Sequence, residues 1–341
     1  MCDPTDLAHM DHALRLAARG LGNVWPNPAV GCVIVNAGRV VGRGWTQPGG
    51  RPHAERMALD QAGPAARGAT AYVTLEPCAH HGRTPPCAEA LVQAGVARVV
   101  SSLTDPDPRV AGRGHAILRA AGVDVVEGVR AEAAAALQRG FLTRLTQGRP
   151  MVTLKLATSF DGRIATAAGE SRWITGPAAR RHVHLLRLTH DAVMVGAGTA
   201  RADRPALNVR GFGAVRQPVR VVIAGAPIPA LPPEDDAHGP LWVLPAPLPE
   251  ALAELGRRGI TRVFCEGGGQ LAAALLAAGL VDELSGYTAG VVLGLALINI
   301  SGPTGQERDL FAAFWLEKKK HMMRSFATRL VILSNGFIVR V

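Results

Sequence analysis

The chain has 341 residues, a hydrophobic fraction of 48% and only 4% aromatics, which suits two α/β domains, each with its own core. Its net charge is +10, and most of its basic residues are arginines scattered along the chain. Without interleaved aromatics for base stacking, that charge points to phosphorylated small molecules, with a nucleic-acid surface the weaker reading. No stretch has the character of a membrane span, the N-terminus opens on acidic residues, and five cysteines suggest no disulfide framework, so a cytoplasmic protein is expected.

Leu7, Met10, Leu14 and Ala17 recur at helical spacing and predict an amphipathic helix, capped by Thr5 or Asp6 and stopped by Gly20 and Gly22. Residues 29–35 and 40–45 read as paired strands about the turn Asn36-Ala37-Gly38-Arg39, with Cys32 a buried small hydrophobe. A helix over 53–61 carries His53 and Glu55 in its first turn, and a strand over 71–75 delivers the chain to Cys78. A strand over 96–103, a helix over 115–121 and a strand over 123–126 continue the alternation, which argues for a three-layer α/β domain. A helix over 131–145 and the linker 146–150 end this first domain, set at 1–147. A strand over 151–156 opens the second, set at 151–341, whose residues 295–341 form an atypical tail.

The chemistry concentrates in His53-Ala54-Glu55, Pro77-Cys78 and Pro86-Cys87. Zinc takes imidazole nitrogen and thiolate ligands, and a catalytic zinc keeps one position open for water. His53, Cys78 and Cys87 are therefore candidate zinc ligands, and Glu55 is a candidate acid–base group that moves protons without binding the metal. A buried His, two core cysteines and a solvated Glu55 are the plain alternative, against which the order and context of the motif weigh. Eight residues separate the two cysteines. They include His80, His81 and Arg83, and Gly82 with Pro85-Pro86 marks them as a loop that Cys87 leaves at a helix start.

HAE followed by TLEPCAHHGRTPPC, and preceded by PNPAVGCVIV, resembles the bifunctional deaminase-reductases of riboflavin biosynthesis. The long histidine-rich loop sets that family apart from cytidine and tRNA-adenosine deaminases. The resemblance implies a cytidine-deaminase-like first domain. It also implies a zinc-assisted removal of an amino group from a diaminopyrimidinone that carries a phosphoribosylamino arm. Trp25 stands before Pro26-Asn27-Pro28 where the family more often has His.

The second domain is less explicit in its residues. Gly196-Ala197-Gly198-Thr199 and Glu266-Gly267-Gly268-Gly269-Gln270 each follow an apolar strand and could bring backbone amides to phosphates, or be ordinary strand-to-helix turns. LKLATSFDGRIA, GESRWITG, DAVMVGAGTARADRPALNVR and FCEGGGQLAAALL resemble the reductase half of the same family, which has a dihydrofolate-reductase-like fold and uses NADPH. By matching position, the resemblance implies that Ala157, Trp173, Thr199 and Asp203 line the cofactor, and that Gly268, Gly269, Gln270 and Leu271 hold its phosphates. Lys155, Ser171, Arg187, Leu207, Arg210 and Glu266 would meet substrate, and a homo-oligomer is implied. Lys155 is the one lysine before the tail; inside a strand, its buried head needs a partner. Asp161 and Gly162 read as the turn that ends the first strand. A family acid near Ala224 has no counterpart.

After about Gly294 the composition changes, and from Leu295 onward the chain does not match the family pattern. The tail holds seven basic and three acidic residues, so it supplies +4 of the +10. Two readings stand side by side: an altered reading frame or divergent terminus, or a competent ending built on a hairpin about Asn335-Gly336. Two further functional readings are a nucleic-acid or free-base deaminase with an accessory domain, and a zinc-stabilised module without catalysis.

Overall fold

A computed structural model describes residues 3–80, 85–107, 111–166, 176–224, 235 and 237–289, with the backbone of 329–333 and 336–340. The chain divides into two compact units. The first comprises Met1–Met151 with Thr189–Asp191 and Leu252–Arg262; the second is Val152–Leu188, Ala192–Ala251 and Val263–Val341.

The first unit opens with α1 (Pro4–Ala17). Its cap is Asp3, whose Oδ1 accepts from the Thr5 amide at 2.8 Å, not Thr5 or Asp6 as the sequence suggests. Pro4 lacks an amide hydrogen and sits at the first helical position, where none is needed, so the helix starts two or three residues earlier. Asp6 turns inward instead. β1 (Gly31–Asn36) and β2 (Arg39–Trp45) form the expected antiparallel pair. Then follow α2 (Ala54–Ala62), β3 (Thr70–Val73), α3 (Cys87–Gln93), β4 (Arg98–Ser101), α4 (Arg113–Ala120), β5 (Asp124–Val126) and α5 (Ala131–Gln147).

The sheet has the order β2-β1-β3-β4-β5, with β3, β4 and β5 parallel. Alternation along β1 assigns its two faces. Cys32 and Ile34 pack with Ala54, Ala58, Leu91 and Leu118 from α2, α3 and α4; Val33 and Val35 pack with Met10, Leu14 and Ala134 from α1 and α5. Three layers result, as the alternation of elements implies. α2 lies so close to β2 that a Cβ on Gly44 would stand 2.1 Å from the carbonyl oxygen of Ala54. The helix start that carries His53 is thereby pressed onto the sheet.

The second sheet runs β11-β6-β10-β7-β8-β9. Its strands are β6 (Met151–Thr158), β7 (Ala192–Gly196), β8 (Val219–Ile223), β9 (Leu241–Leu244), β10 (Arg262–Cys265) and β11 (Glu283–Thr288). The helices are α6 (Pro177–Leu188), α7 (Ala197–Asp203), α8 (Leu248–Arg257) and α9 (Gly269–Ala277). Val193, Val195, Ala200, Leu207, Val222 and Ala224 form one buried cluster of this unit. Cys265 is fully buried, as its apolar run implies. Asp161 closes the turn after β6, where its Oδ1 accepts from the Ser159 hydroxyl at 2.6 Å and Gly162 takes φ +79°.

In the tail, β12 (Arg329–Leu333) and β13 (Gly336–Arg340) pair antiparallel with Leu333 opposite Gly336; Gly336 is therefore the first residue of β13 and not a turn residue, and Asn335 lies outside the described residues. Among the described residues, no helix is long and apolar enough to cross a membrane.

Candidate metal and cofactor sites

His53 is the N-cap of α2 rather than a member of its first turn, with extended backbone (φ −72°, ψ 161°). That one-residue difference swings the imidazole off the helix toward the sulfurs. Cys87 opens α3 at its first residue, and Cys78 arrives on the loop that follows β3. His53 Nδ1 lies 3.3 Å from Cys87 Sγ and 3.7 Å from Cys78 Sγ, and the three donor atoms all fall within 4.8 Å of one another. An ion bound at about 2.0–2.3 Å with tetrahedral angles leaves its nitrogen and sulfur ligands roughly 3.5–3.8 Å apart. The observed triangle therefore has the size and chemistry of a zinc site.

Backbone hydrogen bonds hold the sulfurs in place. The Cys87 amide donates to Cys78 Sγ at 3.3 Å, and the Ala88 amide donates to the Cys78 carbonyl at 3.2 Å. The start of α3 thus grips Cys78 twice, an arrangement that favours thiolate. The Cys78 thiol is pulled down to about 4, first by a hydrogen bond from the Cys87 thiol and then, against the cost of burial, by His53 and the Cys87 amide. Cys87 is pushed up, first by the Cys78 sulfur and then by burial. His53 is raised, chiefly by its contact with Cys78.

Glu55 occupies the first turn of α2 and is 4% exposed. Burial pushes its carboxyl up to about 7, and the nearby Cys78 sulfur adds to the shift. A group that titrates there can both accept and return a proton near neutral pH. His80 is described, whereas His81 and Arg83 lie outside the described residues.

In the second unit Lys155 is half-buried on β6 and stands in register with Ser285 of β11; Ala157 is in register with Tyr287. Arg187, near the end of α6, and Glu266, just past β10, form a forked ion pair in which each side chain is 11% exposed. Arg187 Nε donates to Glu266 Oε1 at 2.5 Å, Nη2 to Oε2 at 3.1 Å, and Nη1 to the Asn208 carbonyl at 2.7 Å. Burial acts to raise the Glu266 carboxyl, but Arg187, Lys155 and His184 together hold it below the usual carboxylate range. Leu207 is buried at φ +55°, a left-handed turn that presents the Asn208 carbonyl to Arg187. Arg210 is exposed beside a cavity of about 690 Å³ lined by Asn208, Gly213, Gln217 and Ala237; its Nη1 donates to Asn208 Oδ1 at 3.1 Å.

Gly268 caps α9, and its amide donates to Thr199 Oγ1 at 3.0 Å, so the two glycine-rich turns meet side by side. Thr199 lies inside α7, whose cap is Gly196, and Asp203 is the last residue of that helix. The amides of Gly269, Gln270 and Leu271 belong to the first turn of α9, where helical amides lack partners within the helix. A Cβ on Gly269 would stand 3.2 Å from Ile164, so glycine keeps that approach narrow but open. These residues fit the phosphates of a dinucleotide. Ser171 and Trp173 lie outside the described residues.

Sequence reasoning missed three contributors: Glu76, which braces the loop before Cys78, and Asn208 and His184, which hold Arg187 and the Arg210 amide. Glu76 carried a readable signal, since a lone charge in the run Thr74-Leu75-Glu76-Pro77 must find partners if the run is buried.

Comparison with known proteins follows the same division. The cytidine and deoxycytidylate deaminase zinc-binding region matches residues 4–103, and the RibD C-terminal domain matches residues 150–310. The riboflavin biosynthesis protein RibD of Escherichia coli is 46% identical over 325 residues, covering 85% of this chain and 89% of that protein. RibD of Bacillus amyloliquefaciens is 40% identical, covering 86% and 87%. Among solved structures, Acinetobacter baumannii RibD superposes with a TM-score of 0.80 at 39% identity. A diaminohydroxyphosphoribosylaminopyrimidine deaminase/5-amino-6-(5-phosphoribosylamino)uracil reductase from Thermotoga maritima gives 0.81 at 32% identity; each match covers 98% of both chains. The chain belongs to the RibD family, the bifunctional zinc-dependent deaminases and NADPH-dependent reductases of riboflavin biosynthesis.

Proposed function

We propose that residues 1–147 deaminate 2,5-diamino-6-(phosphoribosylamino)pyrimidinone, and that residues 151–341 then reduce the ribosyl arm of the product to a ribityl chain. The observation that carries this reading is the triangle of His53 Nδ1, Cys78 Sγ and Cys87 Sγ beside the buried Glu55. Zinc held by those three residues supplies Lewis-acid activation of water near neutral pH. Glu55 accepts the proton of the attacking water and delivers it to the ring nitrogen; it then takes the remaining hydroxyl proton of the tetrahedral adduct and gives it to the amine, which leaves as ammonia while the ring carbonyl forms. His80 is exposed on the loop between the two sulfurs.

In the second half NADPH supplies a hydride, and the protein's part is to align donor and acceptor and exclude water. Gly268, Gly269, Gln270 and Leu271 hold the cofactor phosphates; Ala157, Trp173, Thr199 and Asp203 line the rest. Lys155, Ser171, Arg187, Leu207, Arg210 and Glu266 receive substrate. Glu266 locks the Arg187 fork, and exposed Arg210 offers its guanidinium to the substrate phosphate. The enzyme acts in the cytoplasm as a homo-oligomer on a small-molecule substrate.

The test is incubation of the purified protein with the diaminopyrimidinone, with and without NADPH. Ammonia release that persists without NADPH, and NADPH oxidation only in the presence of that substrate, is the expected pair of results. Ammonia released instead from a base within single-stranded nucleic acid, with steep salt dependence, would replace this reading by a polynucleotide deaminase.

A further inference from the structure

Glu76 leaves β3 just before Pro77-Cys78 and is 3% exposed. Its carboxylate faces four backbone amides drawn from two distant segments. Oε2 accepts from Asp105 at 3.1 Å and Gly112 at 3.0 Å; Oε1 accepts from Gly114 at 2.9 Å and His115 at 3.4 Å. The Glu76 amide itself donates to the Leu103 carbonyl at 2.8 Å. Three of the four donors lie at or next to the start of α4, whose dipole offsets the buried charge.

Beyond holding α4, this arrangement reaches Cys78. A Cβ on Gly114 would stand 1.9 Å from the Pro77 carbonyl oxygen, so the first turn of α4 is packed directly on the peptide before Cys78. α4 is in turn anchored from behind. His115, 1% exposed, meets Ser101 Oγ through Nε2 at 2.9 Å and Glu127 through Nδ1 at 3.1 Å. On its other flank Cys78 is held by the amides of Cys87 and Ala88. The cysteine loop thus sits between two braces, one from α3 and one from α4.

We propose that Glu76 is a positioning residue of the deaminase site: by clamping the start of α4 and the residue after Leu103–Thr104 to the peptide before Cys78, it keeps that sulfur in reach of His53 and Cys87. This rests on the zinc assignment above. Second-layer groups that orient metal ligands typically change affinity or activity by about 10–100-fold when altered. A glutamine has one acceptor oxygen in place of two, and its NH₂ would confront the remaining amides donor to donor.

The test compares Glu76→Gln with wild type in the full-length chain, using cobalt(II) and zinc as probes. In the variant, loss of metal to a competing chelator should become about 10–100-fold easier. Its cobalt–thiolate absorption bands should shift, and ammonia release should fall while far-UV circular dichroism and NADPH oxidation with pre-deaminated substrate stay unchanged. A second measurement needs only wild type. If the clamp and the metal site are coupled, the coupling is reciprocal, so zinc removal should lower the hydrogen-exchange protection of the Gly112, Gly114 and His115 amides. Wild-type chelator resistance and an unaltered cobalt spectrum in Glu76→Gln would overturn the proposal. Where that variant yields no soluble protein, the exchange measurement decides, and unchanged protection overturns it. A wild-type chain that binds no metal would overturn the zinc assignment and this proposal together.

Discussion

Asp6 and Arg98, 92 residues apart, meet in a two-pronged ion pair: Arg98 Nη1 and Nη2 donate to the two Asp6 carboxylate oxygens at 2.8 Å each. Tyr72 OH also donates to Asp6 Oδ1, at 2.9 Å, so α1 is tied to the adjacent strands β3 and β4. Hydrogen bonds from Arg98, set against burial, hold the Asp6 carboxyl below the usual carboxylate range. The folded state therefore releases this proton more readily than the unfolded chain. Its stabilisation is fully present above the unfolded value of about 3.9 and is lost as pH falls through the lower folded value. Asp6→Asn should lower the unfolding free energy of the first unit at pH 7 by roughly 1–3 kcal/mol, read as a lower urea midpoint. The same variant should flatten the acid limb of the stability curve. An unchanged midpoint at pH 7 would remove the pair from the stabilising contacts.

Removal of the metal should separate the two activities. His53→Ala and Cys87→Ser each take one donor from a three-donor site, leaving too few for tight binding. Metal analysis should find less than one zinc per chain, and ammonia release should drop to background. NADPH oxidation with pre-deaminated substrate should continue. Loss of both activities on treatment with a chelator would contradict this division.

Arg187→Lys keeps the charge but not the planar fork, so it cannot reproduce two parallel bonds to Glu266 and a third to Asn208. Reductase kcat/KM should fall by about 10–100-fold, a loss of roughly 1.4–2.8 kcal/mol in transition-state stabilisation. Ammonia release should not change. Steady-state assays with pre-deaminated substrate measure the reductase step alone.

The layers of the first unit were legible because each element carries a strong local pattern: alternation in β1, three- and four-residue spacing in α1, and glycine at the turns. The candidate zinc residues were legible for a different reason: imidazole and thiolate are the ligand types zinc takes, and they stand here in the order and context that chemistry needs. Helix ends were harder. Asp3 outcompeted Thr5 and Asp6 as cap because Pro4 suits the first helical position, and Asp6 is drawn inward by Arg98, a partner invisible from local sequence. His53 as N-cap follows the same rule: backbone geometry decided a one-residue question that periodicity leaves open.

In the second unit the ion pair of Arg187 with Glu266 joins residues 79 positions apart, and nothing in either neighbourhood announces it. The residues came from resemblance; only the fold brings them together. Likewise, the hydrogen bond from Gly268 to Thr199 unites two glycine turns that sequence treats separately. The antiparallel pairing in the tail was legible in outline from its two apolar runs, but Gly336, expected in the turn, is the first residue of β13.

In the proposed function Glu55 moves the protons while His53, Cys78 and Cys87 hold the metal. Glu55→Gln, a change of charge at nearly constant volume, tests it in one preparation assayed for both zinc and ammonia. The expected result is one zinc per chain with ammonia release reduced by about 10²–10⁴-fold. Wild-type turnover in a variant that retains its zinc would contradict the account.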